Sequence, residues 1–165
     1  MFQFLIGLII NLIGGEFKFS WVLRKELAVG NFPKNDECLD FLESQGINAI
    51  LTLCRFEEAG IEQNLKSRFK HVYYPLPDHS YKEDIKIDQL LYSLKKLAEL
   101  KKYGSVYVHC LAGVERSPLV CMAWLVKYRD FSSIEALDYL MEVNKKTNPL
   151  NKQFNLLNHP LLTKN

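Results

Sequence analysis

The sequence predicts an α/β fold: a single domain with a central, largely parallel sheet of about five strands and helices on both faces. Three observations predict it. Strand-like and helix-like apolar segments alternate along the 165 residues. Ile47–Cys54, apolar but for Asn48 and Thr52, and Val106–Val108 are continuous runs of the kind expected of strands buried on both sides. Glycines and prolines separate the segments one at a time, and no repeat, low-complexity stretch or linker marks a second domain.

Residues 2–13 are almost wholly apolar. The run is shorter than the roughly 20 residues that cross a bilayer. It lacks the basic residues that open a secretory signal. A helix or strand packed on the domain fits it, and so does an anchor lying on a membrane surface, which would give weak membrane association. Residues 1–16 are therefore set apart as an apolar N-terminal extension, and 17–165 as the domain.

Phe17–Trp21 and Leu27–Val29 read as short strands around a turn at Arg24-Lys25. Gly30–Pro33 is a loop. Asn35 or Asp36 can cap a helix whose apolar face is Cys38, Phe41 and Leu42, ended by Gly46. The Ile47–Cys54 strand follows. Phe56–Phe69 is polar, with at best a helical pattern. His71–Leu76 is a strand stopped by Pro75 and Pro77. Ile87, Leu90, Leu91, Leu94, Leu97 and Ala98 share one helical face, and Gly104 ends that helix. Ser132-Ser133-Ile134-Glu135 is a capping-box pattern. It opens a helix with Leu137, Leu140, Met141 and Val143 inward, stopped by Pro149. Residues 151–162 form a last helix ending near Pro160.

The most informative stretch is His109-Cys110-Leu111-Ala112-Gly113-Val114-Glu115-Arg116-Ser117-Pro118. It joins the apolar strand Val106–Val108 to the apolar helix Leu119–Val126. Free N–H groups at a helix start make such a turn an anion site. Arg116 adds a planar fork that grips two phosphate oxygens. Cys110 lies in the same positive field, which favours the thiolate. A thiolate facing a bound phosphate is a nucleophile facing an electrophile.

His109, Cys110, five intervening residues, Arg116 and Ser117 resemble the signature of the cysteine-dependent protein tyrosine phosphatase superfamily, of the dual-specificity phosphatase type. The resemblance covers about residues 20–155 and implies that family's fold. It implies metal-independent hydrolysis of phosphomonoesters through a cysteinyl-phosphate, with no cofactor and no metal. The substrates it implies are phosphotyrosine and phosphoserine/threonine in proteins, or alternatively a phospholipid, phosphorylated glucan or sugar. A phosphate-binding pseudo-enzyme and a sulfur or arsenate transferase are the remaining readings.

The same resemblance assigns roles. Cys110 is the nucleophile and Arg116 the phosphate clamp. Leu111, Ala112, Gly113, Val114 and Glu115 bind substrate through their backbone. Asp78, 32 residues before Cys110 and just after a strand, is the general acid. Its bland reading is a turn former after Pro77. Asp84 is the fallback acid, His79 an auxiliary donor, and Asp88 falls within a helix. Ser117 eases departure of the thiolate, or caps the helix. His109 buttresses the loop. Asn151, with Phe154, matches a pattern that helps hold the phosphate turn. Glu115 lowers the positive potential at the rim, against heavily phosphorylated inositol lipids. Cys54 ends a neighbouring strand; tensin-like lipid phosphatases imply a reversible disulfide with Cys110, against a plain buried thiol.

Composition narrows the rest. A net charge of +2, with no basic cluster interleaved with aromatics, argues against nucleic-acid binding. The four cysteines, Cys38, Cys54, Cys110 and Cys121, show no metal or paired spacing. They read as reduced thiols of a cytoplasmic protein.

Overall fold

The computed structural model describes residues 16–55, 57 and 65–163. The elements are β1 (Phe19–Leu23), β2 (Leu27–Gly30), α1 (Asp36–Ser44), β3 (Ile47–Thr52), α2 (Leu65–Arg68), β4 (Lys70–Tyr73), α3 (Ile87–Lys101), β5 (Ser105–His109), α4 (Arg116–Tyr128), α5 (Ser133–Val143) and α6 (Asn151–Asn155). Short 3-10 turns follow at His79–Tyr81 and Leu156–Asn158. The sheet order is β1-β2-β5-β3-β4. β1 runs antiparallel to β2, and every other pairing is parallel.

The parallel strands deliver two side-chain layers by simple alternation. Val106 and Val108 of β5 join Leu27, Val29, Ala49 and Leu51 in the larger core, under α3, α4 and α5. Tyr107 points the other way, with Ala28 and Ile50, against Leu39 and Leu42 of α1. β5 therefore sits centrally, with all five residues buried. α4 is buried from Arg116 to Val126, which explains its unbroken apolar sequence from Pro118 to Val126. Gly30 sits where β2 passes closest to its neighbours. A Cβ there would lie 1.9 Å from the Lys18 carbonyl oxygen and 2.4 Å from the Tyr107 hydroxyl.

The sheet, its direction and the helices on both faces match the sequence expectation. Several boundaries differ. The strand expected over His71–Leu76 closes at Tyr73, because Pro75 and Pro77 lack N–H donors for the ladder. The expected helix over 151–162 is α6 plus one 3-10 turn. Asn35, not Asp36, caps α1, accepting from the Cys38 amide at 3.0 Å. In α5 the buried stripe is Ala136 and Leu140, and Met141 is 47% exposed. The reading of residues 2–13 lies outside the described residues, as does most of Phe56–Phe69. Within the latter, Leu65–Arg68 is helical. No helix among the described residues is long and apolar enough to cross a membrane.

Gly30→Ala and Asn35→Ala rank the two constraints. Loss of the Asn35 cap costs about 1 kcal/mol. Overpacking at Gly30 costs about 3 kcal/mol. Urea unfolding should show the glycine variant as clearly the weaker; equal costs would contradict the close approach of Lys18 and Tyr107.

Candidate active site

The alternation along β5 ends with two polar residues on opposite faces. His109 lies on the α1 side, its ring stacked on Tyr107 at 5.7 Å and tilted against Phe32. Cys110 lies on the α4 side, within the larger core. The chain then turns through Leu111–Glu115 into α4. Gly113 has φ +71, which side-chain-bearing residues rarely adopt. A Cβ there would also meet the Gly30 backbone at 2.7 Å. The glycine thus answers to a close approach of β2.

A cavity of about 260 Å³ opens over this turn. Asp78, His79, Cys110, Leu111, Ala112, Val114, Glu115 and Arg116 line it. Cys110 Sγ lies 3.2 Å from Ser117 Oγ, which also lies 3.3 Å from the Gly30 carbonyl oxygen. Ser117 is not the cap of α4; Glu115 occupies that position. Arg116 is 3% exposed. Its guanidinium donates to the Leu53 and Leu76 carbonyls at 3.5 and 3.4 Å and pairs with Asp78 Oδ2 at 3.1 Å.

Asp78 does two things. Its Oδ1 accepts from the Ser80 amide at 3.0 Å and the Ser80 hydroxyl at 2.6 Å, so it is the turn former of the His79–Tyr81 segment. Its Oδ2 reaches into the cavity to Arg116. Partial burial pushes the carboxyl up. The Ser80 bonds, Arg116 and His79 outweigh that and hold it below the usual range. The Asp78 segment is tied to the turn a second time, where His79 Nδ1 meets Glu115 at 3.0 Å. Asp78, His79 and Glu115 bring ligand-type atoms within 4.8 Å of one another. Their bonds to each other and to Arg116 already use those atoms.

Behind the turn, three polar side chains form a chain. Thr52 Oγ1 lies 2.8 Å from His71 Nε2 and 2.8 Å from His109 Nε2. His109 Nδ1 lies 3.1 Å from the Cys110 carbonyl oxygen. Burial, then Lys66, holds His71 down at about 4. Burial foremost, aided by His71 and Arg116, holds His109 down at about 3, against the pull of its bond to the Cys110 carbonyl.

The arrangement can hold a tetrahedral dianion against a thiol, with a carboxyl beside it. The sequence-marked residues Cys110, Arg116, Ser117, Asp78 and Glu115 meet around one cavity, with His109 directly beneath. Others do not. Asn151 is exposed at the head of α6. The contact expected of it comes instead from Asn144, whose Nδ2 donates to the Gly113 carbonyl at 2.9 Å, and from the Asn148 amide, which donates to Val114. Asp84 pairs with Lys152 beside a neighbouring pocket. Cys54 and Cys110 are both buried thiols outside any disulfide. Asn144, Thr52 and His71 were not singled out in the sequence. No local spacing marks them, since each reaches the site from another element.

Comparison with known proteins follows the same line. The family described as "Dual specificity phosphatase, catalytic domain" matches residues 29–159. Dual specificity protein phosphatase 5 of Homo sapiens is 45% identical over 49 residues, 30% of this chain and 13% of that protein. Dual specificity protein phosphatase 7 of Homo sapiens is 30% identical over 124 residues, 75% of this chain and 28% of that protein. The chain thus spans under a third of these relatives' length. The human tyrosine phosphatase-like serine/threonine/tyrosine-interacting protein superposes with a TM-score of 0.73 at 23% identity, covering 85% of this chain and 93% of that one. PTPMT1, solved in complex with PI(5)P, superposes at 0.72 with 15% identity, covering 84% and 91%. These two likenesses concern the fold. A parallel sheet ending in a Cys-to-Arg turn defines the protein tyrosine phosphatase class. Within it, the chain belongs to the dual specificity phosphatase catalytic-domain family.

Neutral buried histidines give the fold an acid limit. The ordinary value for both is 6.5, while His71 is held at about 4 and His109 at about 3. The unfolded chain therefore binds more protons below pH 6.5, so stability falls as pH drops from there. Each histidine contributes a slope of up to about 1.4 kcal/mol per pH unit. The depressed carboxylates enter only at lower pH. Urea unfolding between pH 6.5 and about 5 should show this loss, and His71→Phe should roughly halve its slope. A flat profile across that window would contradict neutral burial.

Proposed function

We propose that the chain is a metal-independent phosphatase acting on phosphomonoesters of protein side chains through a cysteinyl-phosphate. The observation that carries this reading is the meeting of Cys110, Arg116 and Asp78 in one cavity. The phosphate dianion takes the Arg116 fork and the helix start. In doing so it displaces Asp78 from its ion pair and sets negative charge beside it, which raises the carboxyl's proton affinity. Cys110 Sγ attacks phosphorus, the P–O ester bond breaks, and the leaving oxygen takes the Asp78 proton. Water then attacks the phosphocysteine and gives a proton to Asp78. The S–P bond breaks, and the Ser117 hydroxyl donates to the departing thiolate. Glu115 and Asp78 at the mouth, both carboxylates, support singly phosphorylated substrates over polyphosphorylated ones. The likeness to dual specificity protein phosphatases 5 and 7 supports protein substrates.

A second reading, a membrane-borne phosphomonoester, has one observation in its favour. Asn31 donates to the Glu16 carbonyl at 2.9 Å, and the neighbouring Phe32 amide donates to the Leu111 carbonyl of the turn. Glu16 is thus tied through Asn31 and Phe32 to the turn, and a bilayer held by the apolar sequence that precedes it would favour a substrate borne on that surface. Sedimentation of the full chain with anionic vesicles, and faster turnover of a vesicle-borne phosphomonoester than of a phosphopeptide, would favour this reading over the first.

Turnover of p-nitrophenyl phosphate with a chelator present tests the mechanism. Wild type should be active. Cys110→Ser should lose about 10⁴-fold or more. Asp78→Ala should lose about 10²-fold or more on an alkyl phosphate, and much less on p-nitrophenyl phosphate, whose leaving group needs little proton transfer. Activity surviving Cys110→Ser would overturn the proposal.

A further inference from the structure

The geometry points to Thr52 and His71 as positioning residues of the proposed reaction: they orient His109 and, through it, lock the Cys110 carbonyl at the base of the phosphate turn. This inference rests on the proposed function for its catalytic meaning, though not for its structural content. The direction of the chain follows from the atoms. A carbonyl oxygen only accepts, so His109 Nδ1 carries the proton that meets Cys110 at 3.1 Å. Burial keeps the ring neutral, so His109 Nε2 is a bare acceptor. Thr52 must then donate its hydroxyl proton to Nε2 across 2.8 Å. The Thr52 oxygen is left to accept, and His71 Nε2–H donates to it across 2.8 Å. Each N–H or O–H points toward the nucleophile's own peptide group.

The sheet builds this relay. Thr52 pairs with His109 across β3 and β5, and His71 stands two positions before the partner of Thr52 on β4. All three side chains share the α1 face, Thr52 and His109 at the carboxyl ends of β3 and β5 and His71 two positions earlier in register on β4. His109 and Thr52 are buried and His71 is half-buried, so the relay leads from the edge of the core to the nucleophile. Two consequences follow for Cys110. Its carbonyl is held away from the cavity, leaving the turn's amides free to face an anion. Donation to that carbonyl also draws electron density from the residue that must carry negative sulfur.

The test reads the relay without relying on turnover. In long-range ¹H–¹⁵N spectra of the labelled full chain at pH 7, His71 should be the neutral Nε2–H tautomer and His109 the neutral Nδ1–H tautomer. His109 found as Nε2–H, or as a cation, would overturn the proposal. Iodoacetamide labelling of Cys110 at pH 6 gives the functional arm. Thr52→Val should label about five-fold more slowly and lose kcat/KM on p-nitrophenyl phosphate by the same factor, the effect of one hydrogen bond. Thr52→Ser should restore both. Labelling rates and kcat/KM equal to wild type in Thr52→Val, or no restoration by serine, would also overturn it. Tautomers as expected in a protein that turns over no phosphate ester would instead sink the proposed function and leave the relay standing.

Discussion

Arg116 sets the terms for everything near the cavity. A guanidinium exposed by only 3% is costly unless its charge and N–H donors are met. The sheet meets part of that demand at its carboxyl edge. Leu53, just past β3, and Leu76, in the stretch after β4, both turn carbonyls toward it. The Leu76 amide bonds the Leu53 carbonyl at 3.0 Å, so the two acceptors are held together. Asp78 completes the balance two residues after Leu76. The segment that carries the acid is thus aimed by the same cation that would hold the phosphate. On the proposed reading, exchange of one anion for the other is the event that starts the reaction.

The two faces of β5 divide the labour. Cys110 enters the core beneath α4, whose first two residues are Arg116 and Ser117. His109 enters the opposite layer, where aromatic rings clamp it and Thr52 reaches it. The contrast with Cys121 is instructive. That thiol lies inside α4, and burial, then Cys110 itself, pushes it up, so it stays protonated. Burial alone makes an inert cysteine. Cys110 differs in place: it lies at the start of α4 and lines the cavity together with Arg116.

Legibility in the sequence followed locality. Cys110 through Ser117 are contiguous, so their spacing alone displays the turn. The sheet was readable because runs such as Ile47–Cys54 are apolar but for Asn48 and Thr52, a direct consequence of burial on both faces. Asp78 was placed by resemblance, and its turn-forming role proved to coexist with its reach into the cavity. Asn144 was invisible because it ends α5, far along the chain from the Gly113 carbonyl that it holds. Asn151 was overread for the opposite reason: a short motif matched while its side chain pointed to solvent. Met141 shows the limit of helical periodicity, since one position of phase error exposes an apolar residue at the edge of a stripe.

Glu115 changes meaning once the fold is known. In the sequence it is a carboxylate that weakens an anion site. In three dimensions it meets His79, beside Asp78, on the segment that brings the acid. Its charge therefore serves partly to tie that segment to the turn, so the acid's approach depends on the phosphate loop at two points, Arg116 and Glu115. A dianion that takes Arg116 loosens one tie and leaves the other. Asp78 then remains within reach of the leaving oxygen instead of swinging into solvent. A second phosphate on the same substrate would have to lie near Glu115 and Asp78, with no Lys and no Arg other than Arg116 among the residues lining the cavity. On the proposed reading, the mouth suits one dianion better than a polyanion, and that asymmetry, more than the cavity's volume, would narrow the substrate.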